Sequence, residues 1–201
     1  DNMSRGRIIT GFVRGIGNEY HSTGINPHWS HERYQEAHDL IVQAWTRPGP
    51  FSYEGEHYNF RYVNCWPRPY QNPHPPIWIP SQGSMETVVW AAAKERRYTY
   101  LQTFSPYPQA LRAFRAYRDV ALKEGYEPQP SQMGWAVPTY VAETDAEARR
   151  IMKPAIEHHL ASLNWIRNRH GVTEFDNRHA NVHRGVDFEL LLHHREEPQS
   201  E

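Results

Sequence analysis

Four strand-then-helix units follow one another along this chain, and its 201 residues fall short of the ~250 that a full eight-stranded barrel needs. Together with a periodicity that fades into a polar C-terminal stretch, this predicts an α/β fold. The form expected is an incomplete TIM (β/α)8 barrel, with about four central β/α units and a polar C-terminal appendage. Right-handed crossovers between parallel strands would place every helix on the outer face of the sheet. We expect one domain over residues 1–163 and leave 164–201 unassigned.

The first unit opens with Ile8 to Val13, a short and largely apolar run closed by Arg14-Gly15, the pattern of a buried parallel strand ending in a functional turn. A helix follows from a candidate N-cap at Ser30, with Tyr34, Ala37, Ile41, Ala44 and Trp45 on one face before Pro48 stops it. Aromatics alternate around Glu54-Gly55 between Phe51 and Val63, which predicts a surface hairpin. From Trp66 to Pro76 the prolines fix an extended lead-in, since each locks φ and biases the residue before it away from helix.

The lead-in feeds a strand at Ile77-Trp78-Ile79, a polar turn Ser81-Gln82-Gly83-Ser84, and a helix from Met85 to Glu95 capped by Ser84. Tyr98 to Thr103 reads as the next strand. Ser105-Pro106 then opens a helix carrying Ala110, Phe114, Tyr117 and Ala121 on one face, closed by Gly125. Gly134 to Val141 is the fourth strand, and Thr144 with Glu147 forms a capping box for a helix that Pro154 should kink or interrupt.

Composition excludes several classes of function. The chain carries 22 Lys+Arg against 23 Asp+Glu, a net charge of -1, so it lacks the basic footprint of a nucleic-acid binder. Its longest apolar run, Val88 to Ala93, is far shorter than the ~20 residues of a membrane span. One cysteine, Cys65, cannot form an internal bridge and reads as a structural thiol in a reducing, cytoplasmic setting. Thirteen histidines include the pairs His158-His159 and His193-His194, with His179 and His183 four apart. No Cys or carboxylate completes a metal set around them, so no metal is expected. The chain opens on Asp1 and meets an apolar segment almost at once, and its mean hydropathy is -0.84, which leads us to expect a piece of a longer protein.

The turn from Ser81 to Thr87 is the most informative segment. A helix N-terminus presents free backbone N–H groups and a positive dipole end, Gly83 permits close approach, and the hydroxyls of Ser84 and Thr87 are spaced to face one anion. The plainer reading is an ordinary serine cap. In a parallel sheet Arg14 and this turn leave neighbouring strand ends on the same side, so a guanidinium and a hydroxyl-rich helix start could meet one phosphate.

With these residues in order, GRIITGFVRGIGNEY at Gly6 to Tyr20, ERYQEAHDLIVQAW, FSYEGEHYNF, WPRPYQNPHPPIWIP and SQGSMETVVWAA, the chain resembles the luciferase-like flavin-dependent monooxygenases. The resemblance covers roughly Gly6 to Leu160. It implies a barrel that holds FMN at the C-terminal strand ends, with reduced flavin delivered by a separate reductase and a small organic substrate oxygenated through a flavin hydroperoxide. By the same resemblance Arg14 stands at the family's phosphate-binding arginine, and Ser84 and Thr87, with the Gly83 backbone beside them, stand where the flavin phosphate binds. Glu19 falls where an acidic residue lies near the flavin. Gln102 and Thr103, at a strand end, are expected to line the isoalloxazine side.

The visible strands then correspond to the family's fourth to seventh. Its first three, with the loop that carries a catalytic histidine in luciferase itself, are absent, and no catalytic residue is assigned here. Open alternatives are a deazaflavin-dependent oxidoreductase of the same fold, a flavin-binding protein without catalysis, and a fragment that folds only on a partner. A homodimer is among the expected assemblies, and neither nucleic acid nor membrane is an expected partner.

Overall fold

The computed structural model describes residues 1–169. Its centre is a four-stranded parallel sheet in the order β1-β4-β5-β6, formed by β1 (Thr10–Gly11), β4 (Ile77–Ser81), β5 (Thr99–Thr103) and β6 (Met133–Ala136). A separate antiparallel hairpin pairs β2 (Phe51–Glu54) with β3 (Asn59–Val63). The helices are α1 (Gly17–Thr23), α2 (Ser30–Thr46), α3 (Met85–Ala92), α4 (Tyr107–Lys123) and α5 (Asp145–Arg169). The repeating strand-helix order and uniformly parallel pairing make this an α/β half-barrel, as the sequence predicts.

Alternation along the strands sorts the two faces of the sheet. Register aligns Ile79 with Tyr100 and Tyr100 with Met133, and one step further on aligns Ser81 with Gln102 and Gln102 with Trp135. These two rows face the helices. Ile77, Ile79 and Tyr100 enter the core cluster with Val88, Trp90, Ala91 and Ala92 of α3 and Ala113 and Tyr117 of α4. Small alanines on α3 and α4 let those helices approach closely, and Tyr117 reaches back to donate its hydroxyl to the Tyr98 carbonyl at 2.7 Å. On the opposite face Pro80, Leu101 and Gly134 lie in register, and a Cβ on Gly134 would meet Leu101 Cδ1 at 2.9 Å. A larger residue there would make the end of the Leu101 side chain give way.

The first strand is shorter than the sequence predicts. Only Thr10 and Gly11 pair with β4, and Ile9 and Val13 are 52% and 59% exposed. Among the described residues β1 has a neighbour on one side only, so the apolar run has no second strand to bury it. Ser30 is the first residue of α2 rather than its cap, a position Trp29 fills without a side-chain bond. The short helix α1 was absent from the sequence reading.

The hairpin forms where it is expected and is tied to α2 by Glu36 and by Arg33, whose guanidinium lies over the Tyr58 ring at 5.0 Å. The carboxylate of Glu36 accepts the backbone amides of His57 and Tyr58 at 2.9 Å each. Gly125 closes α4 with φ +82°, and its amide reaches the Leu122 carbonyl at 3.1 Å. Thr144 Oγ1 accepts the Glu147 amide at 3.2 Å, and α5 runs through Pro154 without interruption. The polar tail, with Leu190 to Leu192, His179, His183 and His193-His194, lies outside the described residues.

Candidate anion and flavin site

β1 and β4 run side by side, with Gly11 opposite Trp78 and the Phe12 amide donating to the Trp78 carbonyl at 3.0 Å. Counting on from that register, Arg14 leaves the sheet level with the Ser81 turn. The two elements share the C-terminal rim on adjacent strands, whose spacing in a sheet is about 4.8 Å.

Arg14 sits in a tightly held turn. Tyr20 donates its hydroxyl to the carbonyls of Arg14 at 2.8 Å and Gly15 at 3.1 Å, and Tyr34 of α2 donates to the Phe12 carbonyl at 3.2 Å. Gly15 has φ +96°, a conformation glycine adopts without strain. The Tyr34 phenol is pushed well up by burial, with Tyr98 adding to the shift and the positive charges of Arg96 and Arg14 opposing it. The Tyr34 ring packs on Trp90 of α3 at 5.3 Å.

At the other strand end Ser84 occupies the N-cap of α3 in extended backbone, φ -62° and ψ 119°, and its carbonyl accepts the first intrahelical bond from Val88 at 3.0 Å. Its hydroxyl makes no capping bond. The side chain that an ordinary cap would spend on its own helix is therefore available, beside first-turn amides that have no intrahelical partner. Thr87 lies one turn along, half-buried.

The turn's carbonyls are drawn away from this helix start. Thr103 Oγ1 donates to the Ser81 carbonyl at 3.1 Å, and Gln109 Nε2 of α4 donates to the Gln82 carbonyl at 2.8 Å. Gly83 has φ +97°, a backbone that favours glycine, and a Cβ there would sit 3.1 Å from Gln109 Nε2. Its amide donates to Ser81 Oγ at 3.3 Å.

Beneath the turn lies a buried polar chain. Tyr100 donates its hydroxyl to Gln102 Oε1 at 2.7 Å, Gln102 Nε2 donates to Ser105 Oγ at 2.6 Å, and Ser105 Oγ donates to the Thr103 carbonyl at 3.0 Å. Burial raises the Tyr100 pKa, and the nearby Ser81 hydroxyl and Gly83 backbone amide pull it partly back. Gln102 thus departs from its expected place. It is fully buried on the helix face, because it shares the phase of Tyr100 along β5, and Thr103 takes the opposite face.

Glu19 is exposed, and its Oε2 accepts the Ile16 amide at 2.8 Å. It caps its own loop, a local role that the sequence reading did not include. Glu86, in the first turn of α3, lies 2.9 Å from His31 Nε2, which joins the starts of α2 and α3. The residues that sequence reasoning passed over are Tyr20 and Gln109. A tyrosine six residues past a strand-end arginine and a glutamine in the next helix carry no local signal, because their partners are backbone carbonyls fixed only by the fold.

No helix among the described residues is long and apolar enough to cross a membrane. Comparison with known proteins agrees with the architecture. The chain is 27% identical over 193 residues to a protein designated y4wF from Sinorhizobium fredii (strain NBRC 101917 / NGR234), covering 96% of this chain and 55% of that one. It superposes with a TM-score of 0.72 and 26% identity on monooxygenase RslO1 from Streptomyces bottropensis, over 88% of this chain and 53% of that one. The FMN-bound oxygenating constituent of 3,6-diketocamphane monooxygenase from the CAM plasmid of Pseudomonas putida shares the fold, with a TM-score of 0.66 and 22% identity over 95% and 57% of the two chains. The chain thus spans about half the length of these relatives. The sequence profile of the luciferase-like monooxygenases matches residues 1–200, and the chain belongs to that family.

Proposed function

We propose that this chain supplies the FMN-phosphate site of a flavin-dependent monooxygenase that uses dioxygen and reduced FMN, delivered by a separate flavin reductase in the cytoplasm, to oxygenate a small organic substrate. The observation that carries the reading is the unspent Ser84 hydroxyl at the start of α3, on the rim that Arg14 shares.

The residues present suit a phosphate. Arg14 would supply a charge-assisted hydrogen bond, Ser84 and Thr87 would donate hydroxyls, and the α3 amides would add their dipole. Gly83 lets the backbone come close. Gln109 and Thr103 keep the two turn carbonyls, which would repel an anion, turned toward the protein. Bound in its reduced form, FMN would supply the two electrons that let dioxygen give one atom to the substrate and the other to water. The protein's own share is to fix the distant phosphate and orient the ring, spending binding energy away from the reacting atoms.

The test is flavin binding by fluorescence, with FMN and phosphate-free riboflavin titrated into the chain and into Arg14→Ala. Tighter binding of FMN than riboflavin is expected, with Arg14→Ala losing ~10- to 100-fold in FMN affinity, as for a hydrogen bond to a charged group. Equal affinity for the two flavins in the unaltered chain would defeat the assignment.

A further inference from the structure

Phe104 adopts φ +50°, a left-handed backbone that is unfavourable for a bulky side chain. Its surroundings hold it there. The Phe104 amide donates to the Ala136 carbonyl at 3.0 Å, and the next residue, Ser105, is pinned by Gln102 Nε2 at 2.6 Å and by Trp135 Nε1 on its carbonyl at 2.9 Å. Gln102 and Ser105 are buried, yet Phe104 itself is 51% exposed. Its burial therefore does little to offset the strained backbone, and glycine or asparagine would satisfy the same turn with less conflict. Strain kept at an exposed aromatic calls for a role outside packing.

Its position supplies one. Phe104 follows β5 on the C-terminal rim, two residues, or about 7 Å of strand, beyond Gln102, whose amide would lie 3.6 Å from a Cβ on Gly83. The Ser81 turn and Phe104 thus end neighbouring strands, β4 and β5, on the same rim. We propose that Phe104 is a binding residue for the flavin ring system, an aromatic wall against which the isoalloxazine lies while the phosphate is held at Arg14 and the Ser84 turn. The inference rests on the FMN reading above and deepens it, moving the ring contact from Gln102 to Phe104.

The experiment titrates riboflavin and FMN into the full chain and into Phe104→Ala, Phe104→Tyr, Phe104→Gly and Arg14→Ala. Phe104→Ala is expected to weaken both flavins by the same factor, about five- to tenfold for one aromatic contact, and Phe104→Tyr to retain binding. Phe104→Gly, which relieves the backbone, should bind as weakly as Phe104→Ala while melting no lower than it. Arg14→Ala should weaken FMN alone. Unchanged riboflavin affinity in Phe104→Ala, or near-normal binding by Phe104→Gly, overturns the Phe104 assignment and leaves the phosphate site standing. If Arg14→Ala leaves the ratio of FMN to riboflavin affinity unchanged, the underlying reading falls instead.

Discussion

Gln109 Nε2 donates to the carbonyl of Gln82 at 2.8 Å, so a residue of α4 fixes the peptide that leads into Gly83. This one bond decides which way the turn before α3 presents its dipoles. A carbonyl released from Gln109 is free to swing toward the phosphate proposed to bind there. Gln109→Leu should therefore weaken FMN binding by about five- to tenfold, the worth of one hydrogen bond, while riboflavin affinity stays as it was. Equal loss for both flavins would show general damage to the rim.

Ser84 offers a test that separates capping from binding. Replacing a serine that caps its helix usually costs ~1 kcal/mol of stability, but this hydroxyl makes no capping bond. Ser84→Ala should leave the denaturation midpoint nearly unchanged and still reduce FMN affinity several-fold. A stability loss as large as that of a normal cap, with FMN binding intact, would reverse both statements.

The chain Tyr100, Gln102, Ser105 is buried, and Gln102 sits at its middle with a partner on each side. Gln102→Leu would leave the Tyr100 hydroxyl and the Ser105 hydroxyl each short of a partner. About 2–3 kcal/mol of destabilisation is expected, the usual cost of stranding buried polar groups. Urea denaturation measures it, and a change below ~0.5 kcal/mol would mean that the chain contributes little.

His38 is 3% exposed, with its ring among Phe12, Trp90 and Tyr98, Nδ1 2.8 Å from Asp39 and Nε2 2.9 Å from the Tyr98 hydroxyl. Burial lowers its pKa, and the hydrogen bond and charge of Asp39 pull it partly back. The folded chain thus keeps a neutral imidazole that the unfolded chain protonates as pH falls through ~6.5. This stabilising contribution is complete above that value and is lost as pH drops toward the lower folded pKa. Thermal melts from pH 8 to pH 5 should fall more steeply for the unaltered chain than for His38→Phe, and parallel slopes would remove the assignment.

Helices with one apolar face were legible in the sequence, because Ala110, Phe114, Tyr117 and Ala121 repeat at the helical period whatever they pack on. The turn before α3, with Ser84 at the N-cap, was legible for a similar reason: glycine followed by serine before an apolar helix is local grammar. What could not be read was phase and company. Nothing in Tyr100 to Thr103 says which alternate residues face the helices, so the burial of Gln102 on the helix side has no signature in the sequence. The lengths of β1 and the role of Glu19 depend on which neighbours arrive from elsewhere in the chain. Phe104 carries no sequence signal at all, since its amide is held by the Ala136 carbonyl of β6 and its neighbour Ser105 by Gln102 and Trp135.

The pairing of β1 with β4 spans a long stretch of chain, with Thr10 Oγ1 bonded to the Pro76 carbonyl across 66 residues. The pairings β4 with β5 and β5 with β6 close much shorter loops, and loop closure is the slow step for distant strands. Nascent chains should therefore assemble the Ser84 turn early and recruit Arg14 last. The rim proposed for the flavin phosphate is then complete only once β1 has docked, and FMN bound there would hold that last docking event in place.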